Sequence, residues 1–272
     1  MEVAPYYNPL FPKRDGYNIE TLDVHDTDSL RKTAEGDPYI DDPGQIENVN
    51  HVGSAVDLVD VVDGPFDYIA SSHNFEHLPN PIRFLQGVTS VLKPGGQLVM
   101  TLPDFPRTFD AFRSPTLISD WLEAFEQSRE RPTDKQVFEF HSYACRPSRG
   151  NLARPLHAEL MNDITEQWRN WHGTGYRDVH CSTFCPASFE LLILEGQALG
   201  LINLTLETVT PANEIEFYVR LRNIPPQIGD VASRRQKSMH RVQQEVRQNW
   251  PIEDRIVDRL RQMKAGIKKR VA

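Results

Sequence analysis

The chain has 272 residues, of which 39% are hydrophobic and 25% charged, and this composition is that of a globular protein rather than a wholly disordered one. It contains no stretch of 18 apolar residues and no charged-then-apolar leader, so we expect neither a membrane span nor a signal peptide. Three cysteines (Cys145, Cys181 and Cys185) are too few for a disulfide framework and favour a reducing, cytoplasmic location.

Charge is distributed unevenly along the chain. Residues 230–272 contain 12 Lys and Arg against 5 Asp and Glu, a net charge of +7, whereas the whole chain carries −8. Residues 1–229 therefore carry −15. A body this acidic does not suit a broad phosphate-binding face, and we expect no nucleic-acid partner.

Two short strands are predicted in the first part of the chain. Residues 17–24 alternate between apolar and polar and end in the acidic residue Asp23. Residues 66–72 form a second candidate strand, and the polar turn His73-Asn74 follows it. Both strands thus end in side chains that can form hydrogen bonds.

A helix and a further strand follow. Apolar residues recur at helical spacing from Ile82 to Leu92. Lys93-Pro94-Gly95-Gly96 is expected to end this helix, because proline cannot continue it and glycine accepts a positive φ. Residues 97–102 are then predicted to form a buried strand. Strand, helix, turn and strand make a βαβ unit, which implies a parallel sheet with a right-handed crossover.

The second half of the chain begins irregularly. Residues 105–185 are rich in aromatic residues, His and Arg, and we predict an insertion with short helices, one of them at 115–129. A clear helix is predicted from Pro186 to Leu199, where Gly200 stops it. Two strands complete the domain as a terminal antiparallel pair, at 201–207 and 214–222.

Pro225-Pro226 marks a boundary between two regions. We predict a domain over residues 1–224 and a basic helical tail over 225–272. Within the tail, apolar residues recur at helical spacing after Pro251, with Arg and Lys between them: Ile252, Ile256, Leu260, Met263 and Ile267. This stripe predicts an amphipathic helix that docks on a partner or on a second copy of the chain.

Two linked segments carry a family resemblance. Residues 66–81 (FDYIASSHNFEHLPNP) and 91–100 (VLKPGGQLVM) resemble the fourth strand, the following helix and the fifth strand of class I S-adenosylmethionine-dependent methyltransferases. Residues 2–10 (EVAPYYNPL) look like the first-strand cofactor loop of that family. Residues 103–113 and 177–184 are similar to a subgroup often associated with glycosyltransferases. The resemblance covers about residues 1–222.

The resemblance implies an α/β fold, namely a Rossmann-like methyltransferase sheet with helices on both faces, and S-adenosylmethionine as cofactor. Asp23 stands where the family places the acid that binds the ribose, and a carboxylate there can accept hydrogen bonds from ribose hydroxyls. The cofactor-binding residues that the resemblance implies are Glu2, Ala4, Pro5, Asp23, Val24, Ser54, Ala55, Ser71, Ser72 and His73.

Three features depart from the family pattern. Ala4 occupies a position where the family prefers Gly, which adds a methyl group beside the cofactor loop. Ser54 stands where the family often has an acid that contacts adenine. The sequence starts at the first strand, without the helix that covers the cofactor in the family, so we expect a truncated start, a shortened enzyme or a loss of catalysis. These departures favour the alternative hypothesis, a catalytically degenerate methyltransferase fold that acts as a scaffold or partner-binding subunit.

His73, Glu76 and His77 form an H-x-x-E-H string. It matches the inverted zinc-protease motif, but the methyltransferase resemblance accounts for Glu76 and His77 without zinc. A subgroup of oxygen methyltransferases holds a divalent metal with E-x-x-E-H at this place, and here His73 replaces its first Glu. Imidazole and carboxylate would suit a transition metal. The alternative is that Glu76 and His77 bond to nearby backbone; we assign no metal ligands and do not favour a metal.

The predicted activity is methyl transfer to an oxygen of a sugar or glycan precursor, a substrate class implied by the resemblance alone. A sugar hydroxyl needs a general base, most often His or a carboxylate. We identify His73, Asp104 and His180 as the candidate catalytic residues. Arg107, Asp110 and Arg113 could line an acceptor pocket or form a surface ion-pair cluster. A glycosyltransferase partner, or self-association through the tail, would fit the same hypothesis.

Overall fold

A seven-stranded mixed sheet forms the centre of the molecule, in a computed structural model that describes residues 1–146, 159–161, 163–170 and 175–248. The strand order is β3-β2-β1-β4-β5-β9-β8, and a separate two-stranded sheet pairs β6 with β7. The strands are β1 (Glu2–Val3), β2 (Thr21–Asp23), β3 (His51–Val52), β4 (Phe66–Ser72), β5 (Leu92–Pro103), β6 (Cys145–Arg146), β7 (Glu159–Leu160), β8 (Thr205–Val209) and β9 (Glu216–Arg222). The helices are α1 (Thr27–Ala34), α2 (Leu58–Val61), α3 (Pro81–Val91), α4 (Ile118–Glu126), α5 (Asp134–Ser142), α6 (Ile164–Asn170), α7 (Pro186–Ala198) and α8 (Val231–Gln248).

The order of the strands fixes where a ligand can bind. Strands β1 to β5 pair in parallel, and β9 is antiparallel to both β5 and β8. The chain runs outwards from β1 through β2 to β3 and then returns to β4 on the other side of β1. Because parallel crossovers are right-handed, this reversal sends the two sets of connections to opposite faces of the sheet. The β1–β4 boundary is therefore the switch point at whose carboxyl edge ligands of open α/β sheets bind. The predicted Rossmann-like α/β fold is confirmed.

Most of the local predictions hold. Asp23 ends β2, Phe66–Ser72 is a strand, and α7 ends before Gly200, which has a φ of +73°. The predicted boundary between α3 and the next strand differs from the observed one. Residues 93–96 do not form a turn between helix and strand, because β5 already begins at Leu92; Gly95, with a φ of +80°, lies within the strand.

The main core lies between the sheet and helices that include α3 and α7. Phe75 is at its centre, and its ring lies 5.7–5.9 Å from the rings of four other aromatic residues: Phe84, Trp121, Phe184 and Phe189. All five rings are buried. Since Phe75 lies in the turn after β4 and Phe184 lies at the end of the insertion, this packing holds the insertion against the carboxyl edge of the sheet.

The basic segment after residue 230 begins with helix α8, which packs along α7 in the opposite direction. Arg235 pairs with Glu195 and Arg241 with Glu190, while Glu245 accepts a hydrogen bond of 2.8 Å from the backbone N–H of Ala187. Basic side chains thus pair with the acidic body, as their charges suggest. The predicted amphipathic helix of residues 251–272 lies outside the described residues. Within the described part of the chain, no helix combines the length and the apolar character that crossing a bilayer requires.

Candidate functional site

The carboxyl ends of β1, β2 and β4 meet at the switch point. Val3 pairs with Leu22 on one side and with Ser71 on the other, so Ala4, the next residue, is flanked by Asp23 and Ser72. The backbone N–H of Ala4 donates to the carbonyl of Leu22 at 2.8 Å. Neighbouring strands lie about 4.8 Å apart, so Asp23 and Ser72 are separated by roughly 10 Å across this edge.

Asp23 is buried at the end of β2. Its Oδ1 accepts a hydrogen bond of 3.0 Å from the backbone N–H of His25, which fixes the orientation of the carboxylate. Burial raises the pKa of Asp23, and the bond from His25 offsets part of this increase. Hydroxyl donors placed against this carboxylate would stabilise its ionised form. Val24, which follows it, is exposed.

The loop after β1 holds a conformation that usually requires glycine. Ala4 has a φ of +50° and Tyr6 a φ of +44°, although both carry a Cβ. Pro5 accepts the N–H of Asn8 at 3.2 Å, which closes the turn. Glu2 is buried and its carboxylate accepts the backbone N–H groups of Leu10 and Phe11, at 2.7 and 3.2 Å. Glu2 therefore holds the loop after β1 in place through these two hydrogen bonds.

The other predicted cofactor residues have mainly local contacts. Ser54 Oγ accepts the N–H of Val56 at 3.2 Å, which caps a short 3₁₀ turn, and Ala55 is buried in the main core. Ser71 is buried at the end of β4, where its Oγ accepts a hydrogen bond from Asn74 Nδ2. None of these contacts tests a cofactor role, which remains a prediction for all of them.

His73 directly follows β4 in a strained conformation, with a φ of +47°. Its Nε2 lies 2.8 Å from Glu216 Oε2, and its Nδ1 lies 3.6 Å from Glu76 Oε1. The side chain is 41% exposed, which makes it the most accessible of the three predicted catalytic residues. Interaction with the Glu76 carboxylate, together with that of Glu216, raises the pKa of His73 to about 9 against the opposing effect of burial.

Asp104 stands at the end of β5, at the same edge of the sheet. Its carboxylate is almost completely buried, and Oδ2 forms an ion pair with Arg107 Nε at 2.9 Å. Burial raises the pKa of Asp104 to about 7, although the positive charge of Arg107 lowers it. A carboxylate with such a pKa is suited to accept a proton near neutral pH.

His180 is buried in a charged network that sequence reasoning described only in part. Its Nδ1 lies 2.6 Å from Asp110 Oδ2, and the other oxygen of Asp110 accepts from Arg113 Nη1 at 2.9 Å. Arg113 Nη2 also donates to the carbonyl of His180 at 3.0 Å. Although burial alone would raise it, His180 and Arg113 hold the pKa of Asp110 below its usual range. The Asp110–Arg113 pair is thus an internal ion pair and does not belong to a surface cluster.

A second histidine has the same kind of partner. His77 Nδ1 lies 2.8 Å from Asp178 Oδ1, and the rings of His77 and His180 stand edge to face with centroids 4.7 Å apart. Sequence reasoning identified neither Asp178 nor Glu216 as a site residue. The only signal was the proximity of Asp178 to His180 in the 177–184 segment, because Glu216 reaches the site through its pairing with Pro103 across β5 and β9.

Glu76 lies between these histidines in a short 3₁₀ turn and is fully buried. Neither carboxylate oxygen has a hydrogen-bond partner among the described residues. The expected alternative role, a carboxylate bonded to nearby backbone, is therefore not observed. One ligand atom each from Glu76, His77 and His180 can be chosen so that all three lie within 4.8 Å of one another.

A polar cavity of about 500 Å³ opens on the insertion side of this network. Arg113 and Cys181 line it next to His180, and residues of α4 and α5 complete the wall, among them Asp120, Gln136 and Glu139. Gln136 Nε2 donates to the carbonyl of Cys181 at 2.9 Å. Hydroxyl groups would find both donors and acceptors in this cavity.

Comparison with known proteins gives one family match. A family model described as "Methyltransferase domain" matches residues 8–195. No curated protein matches the sequence significantly. Among solved structures, a SAM-dependent methyltransferase from Methanosarcina mazei is 14% identical over 82% of this chain and 91% of its own, with a TM-score of 0.41. The glycopeptide N-methyltransferase MtfA complexed with S-adenosylmethionine is 17% identical over 83% and 86%, with a TM-score of 0.39. The CcbJ methyltransferase from Streptomyces caelestis is 13% identical over 81% and 86%, with a TM-score of 0.38.

Proposed function

The chain belongs to the methyltransferase-domain family, and we propose that it transfers a methyl group from S-adenosylmethionine to a hydroxyl oxygen of a sugar or glycan precursor. The observation that carries this proposal is the alignment of Asp23, the Ala4 loop and His73 on three adjacent strand ends at the switch point. Their spacing of roughly 10 Å suits a ligand with a ribose at one end and a reactive centre at the other.

The residues at this edge fit such a cofactor. Asp23 presents a buried, oriented carboxylate to the ribose hydroxyls, and their hydrogen bonds would offset the burial that raises its pKa. The positive φ of Ala4 supports the same turn that glycine allows in the family, so the alanine does not prevent it. The bound cofactor supplies an activated sulfonium methyl group. The protein must align the acceptor with that group and remove a proton.

Asp104 is the base that we favour for this proton. A general base works best when its pKa lies near the working pH, and burial gives Asp104 a pKa of about 7. His73, with a pKa of about 9, is protonated at neutral pH and is better suited to position an acceptor oxygen through a hydrogen bond. The Nδ1 of His180 is engaged by Asp110 Oδ2 at 2.6 Å, and we assign His180 to that pair rather than to the role of the base.

The polar cavity beside Arg113 supports an acceptor with many hydroxyl groups. Its walls carry a guanidinium group, carboxylates and an amide within about 500 Å³, enough for one or two sugar rings. All three cysteines are buried and unpaired, which supports action in the reducing cytoplasm.

Two measurements on the purified protein test the proposal. Calorimetry should detect binding of S-adenosylhomocysteine, and incubation with radiolabelled S-adenosylmethionine should label a hydroxyl acceptor within a panel of nucleotide sugars and oligosaccharides. Failure to bind either form of the cofactor would contradict the proposal and favour the degenerate scaffold. Binding with transfer only to amine acceptors would refute the choice of oxygen.

A further inference from the structure

We propose that Glu76, His77 and His180 bind a divalent transition-metal ion, and we name these three residues the Glu76 site. Each offers one ligand atom within 4.8 Å of the other two, and Glu76 Oε1 lies 4.0 Å from His180 Nε2. Ligand atoms around one tetrahedral zinc ion lie about 3.3 Å apart, so side-chain movements of about 1 Å would close the set. The donors come from the turn after β4 and from the far end of the insertion, which the fold brings together.

The carboxylate of Glu76 is the strongest evidence that something binds there. It is fully buried, and neither oxygen finds a hydrogen-bond donor among the described residues. His73 Nδ1, at 3.6 Å, is too distant for a hydrogen bond. A buried carboxylate that accepts no hydrogen bond has lost its hydration with only a partial replacement, which here is the ion pair with His73 at 3.6 Å. A cation between Glu76 and the two imidazoles would supply the missing interaction.

The partners of the two histidines are those of metal ligands. His180 Nδ1 contacts Asp110, and His77 Nδ1 contacts Asp178, at 2.6 and 2.8 Å. Each carboxylate fixes the orientation of its ring and leaves Nε2 available. This carboxylate–histidine arrangement accompanies protein metal sites, where the outer carboxylate orients the ring and increases its basicity. Two carboxylate–histidine pairs thus lie beside one buried carboxylate that accepts no hydrogen bond.

The surrounding structure also holds the site in place. Arg113 contacts both Asp110 and the carbonyl of His180, so that the outer partner of one ligand is itself fixed. Cys181 Sγ donates to the carbonyl of His77 at 3.2 Å, and the backbone N–H of Ser182 donates to the carbonyl of Glu76 at 3.0 Å. Two separate hydrogen bonds therefore join the two segments that supply the ligands.

The donor set selects a class of ion. Two imidazole nitrogens and one carboxylate oxygen suit Zn²⁺, Co²⁺, Fe²⁺ or Mn²⁺, whereas Mg²⁺ and Ca²⁺ prefer oxygen ligands only. Three protein ligands leave coordination positions open. One consequence rests on the proposed function: a hydroxyl of the acceptor could occupy an open position and lose its proton more easily there.

Metal binding by the full-length protein provides the test, with Zn²⁺ and Co²⁺ as probes after removal of bound metals by a chelator. We expect one equivalent of Zn²⁺ to bind, in competition with a fluorescent chelator, and Co²⁺ to give visible absorption bands. Glu76→Gln keeps the shape of the side chain and should weaken binding at least tenfold. Asp110→Asn should weaken it by about tenfold through the orientation of His180.

His51→Gln is the matched control, because His51 also pairs with a carboxylate, Glu20, at 2.6 Å but lies at the end of the sheet away from the site. This variant should bind Zn²⁺ like the parent protein. The unfolding temperature without metal shows whether Glu76→Gln still folds, and Asp110→Asn provides an independent variant of the same site. Tight Zn²⁺ binding that Glu76→Gln leaves unchanged, or no binding at micromolar concentrations, would overturn the proposal.

Experiments can distinguish a failure of the proposed metal site from a failure of the proposed function. Asp23→Asn should lose cofactor affinity while it retains Zn²⁺ affinity, because Asp23 ends β2, whereas the three ligands of the Glu76 site lie after β4 and near the end of the insertion. If Zn²⁺ binds as expected but no methyl transfer to hydroxyls is found, the Glu76 site stands and the proposed reaction fails. If transfer occurs and is insensitive to both chelator and Glu76→Gln, the reaction stands without the metal.

Discussion

Asp110 Oδ2 lies 2.6 Å from Nδ1 of His180, a residue 70 positions further along the chain. Asp110 follows β5, and His180 lies just before α7, so this contact joins the two ends of the insertion beside the carboxyl edge of the sheet. Both residues are buried, and Arg113 contacts each of them. These contacts therefore fix the insertion beside the candidate site. A substitution in this network should change both the stability of the fold and the activity.

The first prediction concerns cofactor affinity. Asp23→Asn should weaken binding of S-adenosylhomocysteine roughly tenfold or more, because a charged hydrogen-bond acceptor contributes about 1.5–3 kcal/mol. Calorimetry on the parent and variant proteins would measure the change. Asp26→Asn is a suitable control: Asp26 is exposed and caps α1 by accepting the N–H of Ser29. Equal affinities in the parent and Asp23→Asn would remove Asp23 from the site.

The second prediction concerns His73. If His73 holds the acceptor oxygen, His73→Gln should lower turnover by roughly a hundredfold and leave cofactor affinity nearly unchanged. Glu216→Gln should lower turnover less, since Glu216 acts on the acceptor only through its 2.8 Å contact with His73. Single-turnover rates and cofactor titrations separate the two effects. A large loss of cofactor affinity in His73→Gln would argue against an acceptor role.

The third prediction is a dependence of stability on pH that originates from Asp104. The folded state raises the pKa of this acid to about 7 from a value near 3.8. The folded protein therefore binds its proton more tightly than the unfolded chain, and the stability that this provides is lost as the pH rises towards 7. Between about pH 5 and pH 8, Asp104 should lower the free energy of unfolding by about 2–3 kcal/mol.

Asp104→Asn isolates this contribution. The variant should show a smaller loss of stability over the same pH range, although it also removes the ion pair with Arg107. Urea unfolding at both pH values, for both proteins, gives the difference directly. Parallel pH profiles for the two proteins would show that Asp104 titrates at its ordinary pKa.

Local sequence patterns predicted the elements that carry the site but not the contacts between them. The alternation before Asp23, the helical period after Ile82 and the helix at 186–199 correspond to β2, α3 and α7, because each depends on residues close in sequence. The boundary at Lys93–Gly96 was wrong, since the pairing of Leu92 with Phe66 of β4 extends β5 backwards to Leu92.

Contacts between distant residues could not be derived in this way. His73 meets Glu216 across 143 positions and His77 meets Asp178 across 101, and both pairs arise from the topology of the whole domain. The lack of hydrogen bonds to the buried Glu76 carboxylate likewise cannot be seen in the sequence, because H-x-x-E-H does not say which donors reach it. The motif drew attention to Glu76 and His77, and only the fold shows which groups lie within reach of the Glu76 carboxylate.

A fourth prediction concerns the strained loop after β1. Ala4→Gly should increase the free energy of unfolding by about 0.5–1 kcal/mol, because relief of the positive φ exceeds the entropy that glycine adds to the unfolded chain. Thermal or urea unfolding would measure the change. Ala34→Gly, within α1, should instead be destabilising. If Ala4→Gly also raises cofactor affinity, the family preference for glycine has a functional basis in this chain.

The last prediction concerns the basic tail. A chain that ends at Gln248 keeps α8 and its ion pairs with Glu190 and Glu195, so we expect its stability and cofactor affinity to equal those of the full chain. A chain that ends at Asp230 lacks α8, leaves these acids on α7 without partners and should be less stable. The apolar stripe beyond Pro251 would form a helix of marginal stability in isolation, so its order should depend on docking. Sedimentation analysis should therefore show self-association, or capture of a partner, that the chain ending at Gln248 has lost; identical sedimentation and identical partner binding would mean that the stripe has no docking role.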